Sequence, residues 1–224
     1  NRSPMQAHGD IMDDTMIAVS IEGGKGPASA LVPEQRPIPK VGPGEILIKT
    51  RSAGVNRPDL LQRMGFYPPP PGAPETLGLE VAGDIEAVGP GVTRWKGGEK
   101  VCALVPGGGY AEYAIAHEGS CMPLPEPLTY VEAAGLPETV LTVWNNVFYM
   151  AQLKPTETLL IHGGASGIGT TAIQLATNWG AKVYATAGTD EKCRLCETLG
   201  AKRGINYRTE DFETVLREAG GVDV

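Results

Sequence analysis

The sequence is short of basic charge and of cysteine, and it has no long apolar run. Nineteen Lys and Arg stand against 26 Asp and Glu in 224 residues, a formal net charge of −7. A nucleic-acid partner calls for a basic stripe, so the charge balance argues against that class. Four cysteines, two of them close together, do not make a disulfide framework in a chain of this size. No apolar stretch reaches membrane-spanning length, and the first residues lack a signal-peptide pattern. Asn1 to Thr15 is polar and unpatterned and is expected to be a disordered leader. Apolar residues make up 42% of the chain, enough for a real core in one large domain or two small ones. A cytoplasmic enzyme is the expected class.

Glycine and proline are plentiful, at 30 and 19 residues, and they punctuate two stretches of different grammar. From Met16 to about Glu138, short β-like runs alternate with turns. Met16 to Glu22, Glu45 to Val55, Glu80 to Val88, Lys100 to Val105 and Tyr110 to Ala116 read as strands. Between them lie turns such as Val41-Gly-Pro-Gly44 and Val88-Gly-Pro-Gly91, where proline fixes φ and glycine allows positive φ. Residues 16–138 are therefore expected to form an irregular, mostly-β domain. Over 139–224 helix and strand alternate: a helix from Thr139 to Ala151, a strand at 158–162, a helix at 167–180, a strand at 182–186, a helix at 190–199, a short run at 204–207, and a helix at 210–219. Val222-Asp223-Val224 begins another apolar run. Such alternation implies an α/β doubly wound parallel sheet with helices on both faces. A complete dinucleotide fold of that kind has about six strands. The sheet is thus expected to be partial, with the nicotinamide half largely missing.

The stretch Ile161-His162-Gly163-Gly164-Ala165-Ser166-Gly167-Ile168-Gly169 carries most of the chemical signal. Glycines at 164, 167 and 169 supply a tight turn, backbone amides that can approach a phosphate, and close helix-on-strand packing. The helix that follows points unpaired N–H groups and its positive dipole end at a pyrophosphate. A glycine-rich turn alone is a weak signal. Strand before, helix after and a second strand make it a βαβ unit, and in that context it reads as a dinucleotide site.

Several segments then carry a family resemblance. They include Ala53-Gly-Val-Asn56-Arg57-Pro-Asp59-Leu60-Leu-Gln62-Arg-Met-Gly65-Phe-Tyr67 with the prolines after it, and Leu77-Gly-Leu-Glu80-Val-Ala-Gly83. Gly107-Gly-Gly-Tyr110-Ala-Glu112-Tyr113, Ala133-Ala134-Gly-Leu136-Pro137-Glu138, Leu141-Thr142, Ala187-Gly188-Thr189 with Lys192, and Asn206-Tyr207 also fit. The chain resembles the zinc-independent, zeta-crystallin-like quinone oxidoreductases of the medium-chain dehydrogenase/reductase superfamily, and within them the p53-inducible type. The resemblance runs from Met16 onward and lacks the family's C-terminal third. It implies a GroES-like first domain, a Rossmann second domain and a homodimer.

The resemblance bears on metal, cofactor and chemistry. In zinc-dependent relatives a cysteine occupies the position of Asn56 and a histidine that of Leu79. Neither Asn nor Leu replaces thiolate or imidazole as a zinc ligand, and between Val88 and Pro123 only Cys102 and Cys121 occur, so no metal is expected. At the tip of the second strand, Ala187-Gly188-Thr189 is small and neutral, with Lys192 on the next turn. The family surrounds a 2′-phosphate with Gly188, Thr189, Lys192 and Tyr207, which implies NADPH, although Asp190 could serve a ribose hydroxyl if the loop turned inward. Gly164, Ala165, Ser166, Gly167, Ile168 and Gly169 would hold the pyrophosphate. Asn56 would bond near the nicotinamide ribose or the acceptor oxygen, and Thr142 would sit near the carboxamide. Tyr67 would contact the substrate and is the candidate proton donor. Without a Lewis acid, an activated acceptor such as a quinone or an α,β-unsaturated carbonyl is expected.

Each residue also has a plainer reading. Asn56 has the chemistry of a helix cap, Tyr67 of a packing aromatic, Thr142 of a buried hydroxyl, and Lys192 of a solvated helix charge. His162 reads as a structural histidine, Cys193-Arg-Leu-Cys196 as two thiols on adjacent helical turns, and Gly107 to Gly109 as a β-turn. A short-chain dehydrogenase fits Gly163-x-x-x-Gly167-Ile-Gly169 but fails elsewhere. Its turn belongs near the N-terminus, and none of Tyr67, Tyr110, Tyr113, Tyr130, Tyr149, Tyr184 and Tyr207 has a lysine four residues on. A truncated or non-catalytic role, crystallin-like or as a binding protein, and an NADPH-dependent enoyl reductase stay open as alternatives.

Overall fold

The computed structural model describes residues 15–224, which fall into two compact units that divide between Pro137 and Glu138. The expected leader lies outside the described residues, except for Thr15, which opens the first strand.

In the first unit, β1 (Thr15–Ile21) and β2 (Leu31–Pro37) form an antiparallel hairpin. β2 carries Pro33 and Pro37, which argue against a strand from sequence; the hairpin has only two strands, so these prolines cost no central ladder bonds. The main sheet is antiparallel in the order β6-β3-β4-β5-β7. It comprises β3 (Glu45–Ala53), β4 (Glu80–Val88), β5 (Lys100–Leu104), β6 (Tyr113–His117) and the short β7 (Cys121–Pro123). Ile46, Ile48, Val81, Ile85, Val101 and Val105 are buried together on it. The strand expected from Tyr110 begins instead at Tyr113. Residues 110–112 leave that ladder to pair with β1, through Val19 N–H to the Tyr110 carbonyl and Glu112 N–H to the Ile17 carbonyl. The helix α1 (Arg57–Arg63) follows β3, and α2 (Tyr130–Ala133) opens on a Thr129–Glu132 capping box.

The second unit opens in α3 (Pro137–Val143). The single helix expected to Ala151 changes at Val143 into a π-helical turn over Trp144–Met150, in which Ala151 N–H bonds to the Asn146 carbonyl. The Asn146 amide donates to the Thr142 carbonyl at 2.8 Å, a side chain inserted into the helical ladder where the winding widens. Then follow β8 (Thr158–Ile161), α4 (Gly167–Trp179), β9 (Lys182–Ala187), α5 (Asp190–Thr198), β10 (Arg203–Asn206) and α6 (Phe212–Glu218). The three strands are parallel in the order β10-β9-β8.

Alternation along these strands sends side chains to two cores. Leu159, Val183 and Ala185 pack with Ala172, Ile173 and Ala176 of α4 and Cys196 of α5. Leu160, Tyr184 and Ile205 pack with Phe212, Val215 and Leu216 of α6. Helices therefore cover both faces, as in a Rossmann-type sheet. The run at 222–224 lies along the other edge of β8. Leu160 N–H donates to the Val224 carbonyl and Val224 N–H to the Thr158 carbonyl, the bonding of a parallel pair. The connections therefore reverse direction at β8, and in open α/β sheets the crevice at such a reversal is where ligands bind.

Candidate functional site

The glycine turn links β8 to α4, at the carboxyl end of β8. Gly163 takes a left-handed φ of 68°, which a side chain would strain. Gly164 and Gly169 are needed for space. A Cβ on Gly164 would lie 2.6 Å from the Ala185 Cβ and 2.7 Å from the Cys196 Sγ, and one on Gly169 would lie 2.4 Å from the Gly163 carbonyl oxygen. Ser166 caps α4 by accepting from Gly169 N–H at 3.0 Å, so the helix starts at Gly167. Gly164 N–H donates to the Thr186 carbonyl and Ser166 N–H to the Gly163 carbonyl. Among the described residues the N–H groups of Ala165, Gly167 and Ile168 have no protein acceptor, and Gly167 and Ile168 are exposed. Three unpaired donors at the positive end of a 13-residue helix fit a pyrophosphate.

At the carboxyl end of β9, Gly188 runs beneath Tyr207. A Cβ there would sit 2.7 Å from the Tyr207 Oη and 3.7 Å from the Arg208 Nε. Thr189 caps α5 by accepting from Lys192 N–H at 3.3 Å, and Lys192 is exposed on the first turn. Asp190 is committed elsewhere: its Oδ1 accepts from the Asn206 amide at 2.6 Å. Gly188, Thr189, Lys192 and Tyr207 thus lie at one end of the sheet, on the tip of β9, the start of α5 and the turn after β10.

Thr142 lies half-buried on α3, and its carbonyl is held by Asn146. His162 shares a 3.1 Å bond with the Thr186 hydroxyl and meets Phe212 edge to face, a structural role. Cys193 and Cys196 are buried, and burial pushes both thiols up, which disfavours the thiolate that redox exchange needs.

In the first unit Asn56 stands at the junction of β3 and α1. It is the N-cap of α1, and its N–H donates to the Asp59 Oδ2 at 2.8 Å. The side chain is engaged as well: the Asn56 Nδ2 donates to the Glu80 Oε1 at 2.8 Å. A carboxylate only accepts, so Glu80 fixes which end of the amide faces it. Glu80 is 2% exposed, and it fits there because Gly54 has no side chain: a Cβ would lie 2.0 Å from the Glu80 Oε1. Asp59, equally buried, also accepts from Gly78 N–H at 3.1 Å and from the Tyr110 hydroxyl at 3.0 Å. Burial and the adjacent Asp59 hold the Tyr110 hydroxyl above its usual range. Glu80, Asp59 and Tyr110 are site-building residues that sequence reasoning quoted only as family motif. An acid inside an otherwise apolar strand, Glu80-Val-Ala-Gly83, was the available signal.

Tyr67 is elsewhere in this unit. It is 42% exposed and lines a pocket of about 600 Å³ with Ser20, Arg36, Gln62 and Glu75. Asn56 is not among the residues lining that pocket. Among the described residues no three or more His, Cys, Asp and Glu side chains are grouped to hold a metal ion, and no helix is long and apolar enough to cross a membrane.

Each unit contains a match to a known family. Residues 42–126 match the alcohol dehydrogenase GroES-like domain, and residues 167–224 match the zinc-binding dehydrogenase family. The chain belongs to the medium-chain dehydrogenase/reductase superfamily. It is 36% identical over 184 residues to the quinone oxidoreductase of Rattus norvegicus, covering 80% of this chain and 56% of that protein. The Escherichia coli quinone oxidoreductase, solved in complex with NADPH, superimposes with a TM-score of 0.77 at 31% identity, over 92% of this chain and 62% of that one. The CurK enoyl reductase does so with a TM-score of 0.76 at 30% identity, over 93% and 65%. The chain spans between 54% and 64% of the length of the curated quinone oxidoreductases it matches.

Proposed function

We propose that the protein reduces quinones, or other carbonyl-conjugated acceptors, with NADPH and without a catalytic metal. The observation that carries this reading is the set of unpaired N–H groups at Ala165, Gly167 and Ile168, with Gly188, Lys192 and Tyr207 at the tip of the neighbouring strand. The first group suits a pyrophosphate. The second suits a 2′-phosphate, with a lysine charge, a phenol donor and an Asp190 carboxylate held by Asn206. The NADPH complex of the E. coli enzyme supports the same choice. In this reading Gly164 to Gly169 hold the pyrophosphate, Gly188, Thr189, Lys192 and Tyr207 the 2′-phosphate, and Thr142 the nicotinamide end.

The metal-free part rests on donor chemistry. At the two positions where zinc-dependent relatives place soft ligands, this chain has an amide already bonded to Glu80 and an alkyl side chain, Leu79. When bound, NADPH supplies the hydride that an electrophilic acceptor can take without a Lewis acid. Asn56 orients a ligand through an amide whose rotation is locked by Glu80. Tyr67, in its pocket, contacts the acceptor and holds a proton at its hydroxyl; each quinone takes up a hydride and a proton to become a hydroquinone. The family resemblance adds a homodimer. The likeness to CurK favours a second reading, reduction of an enoyl acceptor by the same chemistry.

The test is NADPH oxidation by the protein with 1,4-benzoquinone and with an enone, with and without a chelator. Turnover that survives the chelator is expected, and turnover lost with zinc removed and restored by zinc would refute the metal-free site. Lys192→Ala should raise the KM for NADPH about tenfold and leave that for NADH nearly unchanged, the loss of one charge-assisted contact. Equal losses for both cofactors would refute the 2′-phosphate assignment.

A further inference from the structure

We propose that Arg208 is a second cation of the 2′-phosphate site and selects NADPH together with Lys192. The inference deepens the NADPH reading and rests on it.

Three observations place Arg208 there. Its Nε lies 3.7 Å from where a Cβ on Gly188 would be, so the side chain folds back over the strand tip beside the Tyr207 hydroxyl. Its backbone is fixed: Arg208 N–H donates at 3.1 Å to the Oδ1 of Asn206, whose amide nitrogen bonds Asp190 at the start of α5. One buried side chain thus ties the turn after β10 to the helix that carries Lys192. Finally, the guanidinium is uncommitted. Arg203, at the start of β10, pairs with Glu210, whereas among the described residues no carboxylate lies within ion-pair distance of Arg208, which is exposed.

These features suit a phosphate monoester. A guanidinium offers a planar fork of donors that matches two phosphate oxygens, where an ammonium offers a point charge. Of the acids close to the site in sequence, Glu210 pairs with Arg203, which leaves two carboxylates: Asp190, bonded to the neutral Asn206 amide, and Glu191, exposed on α5. Lys192 alone would leave this set net negative, and Arg208 supplies the second cation that balances the two carboxylates. A ribose with a free 2′-hydroxyl gains little from either.

Calorimetric titration of the chain with 2′,5′-ADP and with ADP tests this without the nicotinamide end. The unaltered chain should bind 2′,5′-ADP at least tenfold more tightly than ADP. In Arg208→Gln that ratio should fall about tenfold, as in Lys192→Gln, and Arg208→Lys should keep part of it. A ratio unchanged in Arg208→Gln but reduced in Lys192→Gln overturns the role of Arg208 and leaves the NADPH reading standing. No preference for 2′,5′-ADP in the unaltered chain rejects the NADPH reading and this inference with it.

Discussion

In the unit from Glu138 to Val224 the glycine turn between β8 and α4 is made of backbone. Its donors are main-chain N–H groups, and its glycines matter for the atoms they lack: a Cβ at Gly164 or Gly169 would collide with Ala185, Cys196 or Gly163. In the unit that ends at Pro137 the site is made of side chains. Asn56, Asp59, Glu80 and Tyr110 bond to one another and to the main chain, with both acids 2% exposed. The first kind of site is damaged by adding atoms and the second by removing them. The two also differ in what they offer: the turn presents unpaired main-chain donors, while the network sets the orientation of one amide.

The contrast predicts opposite sensitivities, and the largest effect belongs to the buried network. Asp59→Ala removes the acceptor of Asn56 N–H, Gly78 N–H and the Tyr110 hydroxyl at once. It should cost about 3–5 kcal/mol of stability by urea titration, because buried donors are left unpaired. A loss below about 1 kcal/mol would mean that water replaces the carboxylate and that the network is not closed. A smaller effect is expected in the other unit. Gly169→Ala forces a Cβ to 2.4 Å from the Gly163 carbonyl and should cost about 2–3 kcal/mol, with phosphate binding lost along with the turn geometry. If the substitution were neutral, close packing would not be what the glycine supplies.

The same contrast explains how much was legible in the sequence. The turn was readable because its glycines, its cap and its unpaired donors lie within nine residues and because glycine spacing is itself the signal. The strands and helices around it followed from alternating periodicity. The network was not readable as a network, since the topology of β3, α1 and β4 brings Asn56 to Glu80 across 24 residues, and Asp59 meets Tyr110 across 51. Only the family motifs pointed to those segments, and they said nothing of the bonds. β2 was hidden by Pro33 and Pro37, which a two-stranded hairpin tolerates. The π-helical turn at Trp144–Met150 was hidden because its apolar content suits an ordinary helix, while the Asn146 bond that accompanies it is a side-chain matter. Arg208 escaped notice because a lone arginine after a strand carries no pattern; its position over Gly188 comes from the fold.

In the proposed function, free main-chain donors of the turn receive the pyrophosphate of NADPH. Amide proton–nitrogen spectra of the labelled chain, recorded as NADPH is added, test it most directly. The N–H signals of Ala165, Gly167 and Ile168 should move furthest and downfield, with Gly188 and Arg208 following when the 2′-phosphate is present and not with NADH. Saturable binding that leaves those three amides unmoved would contradict it.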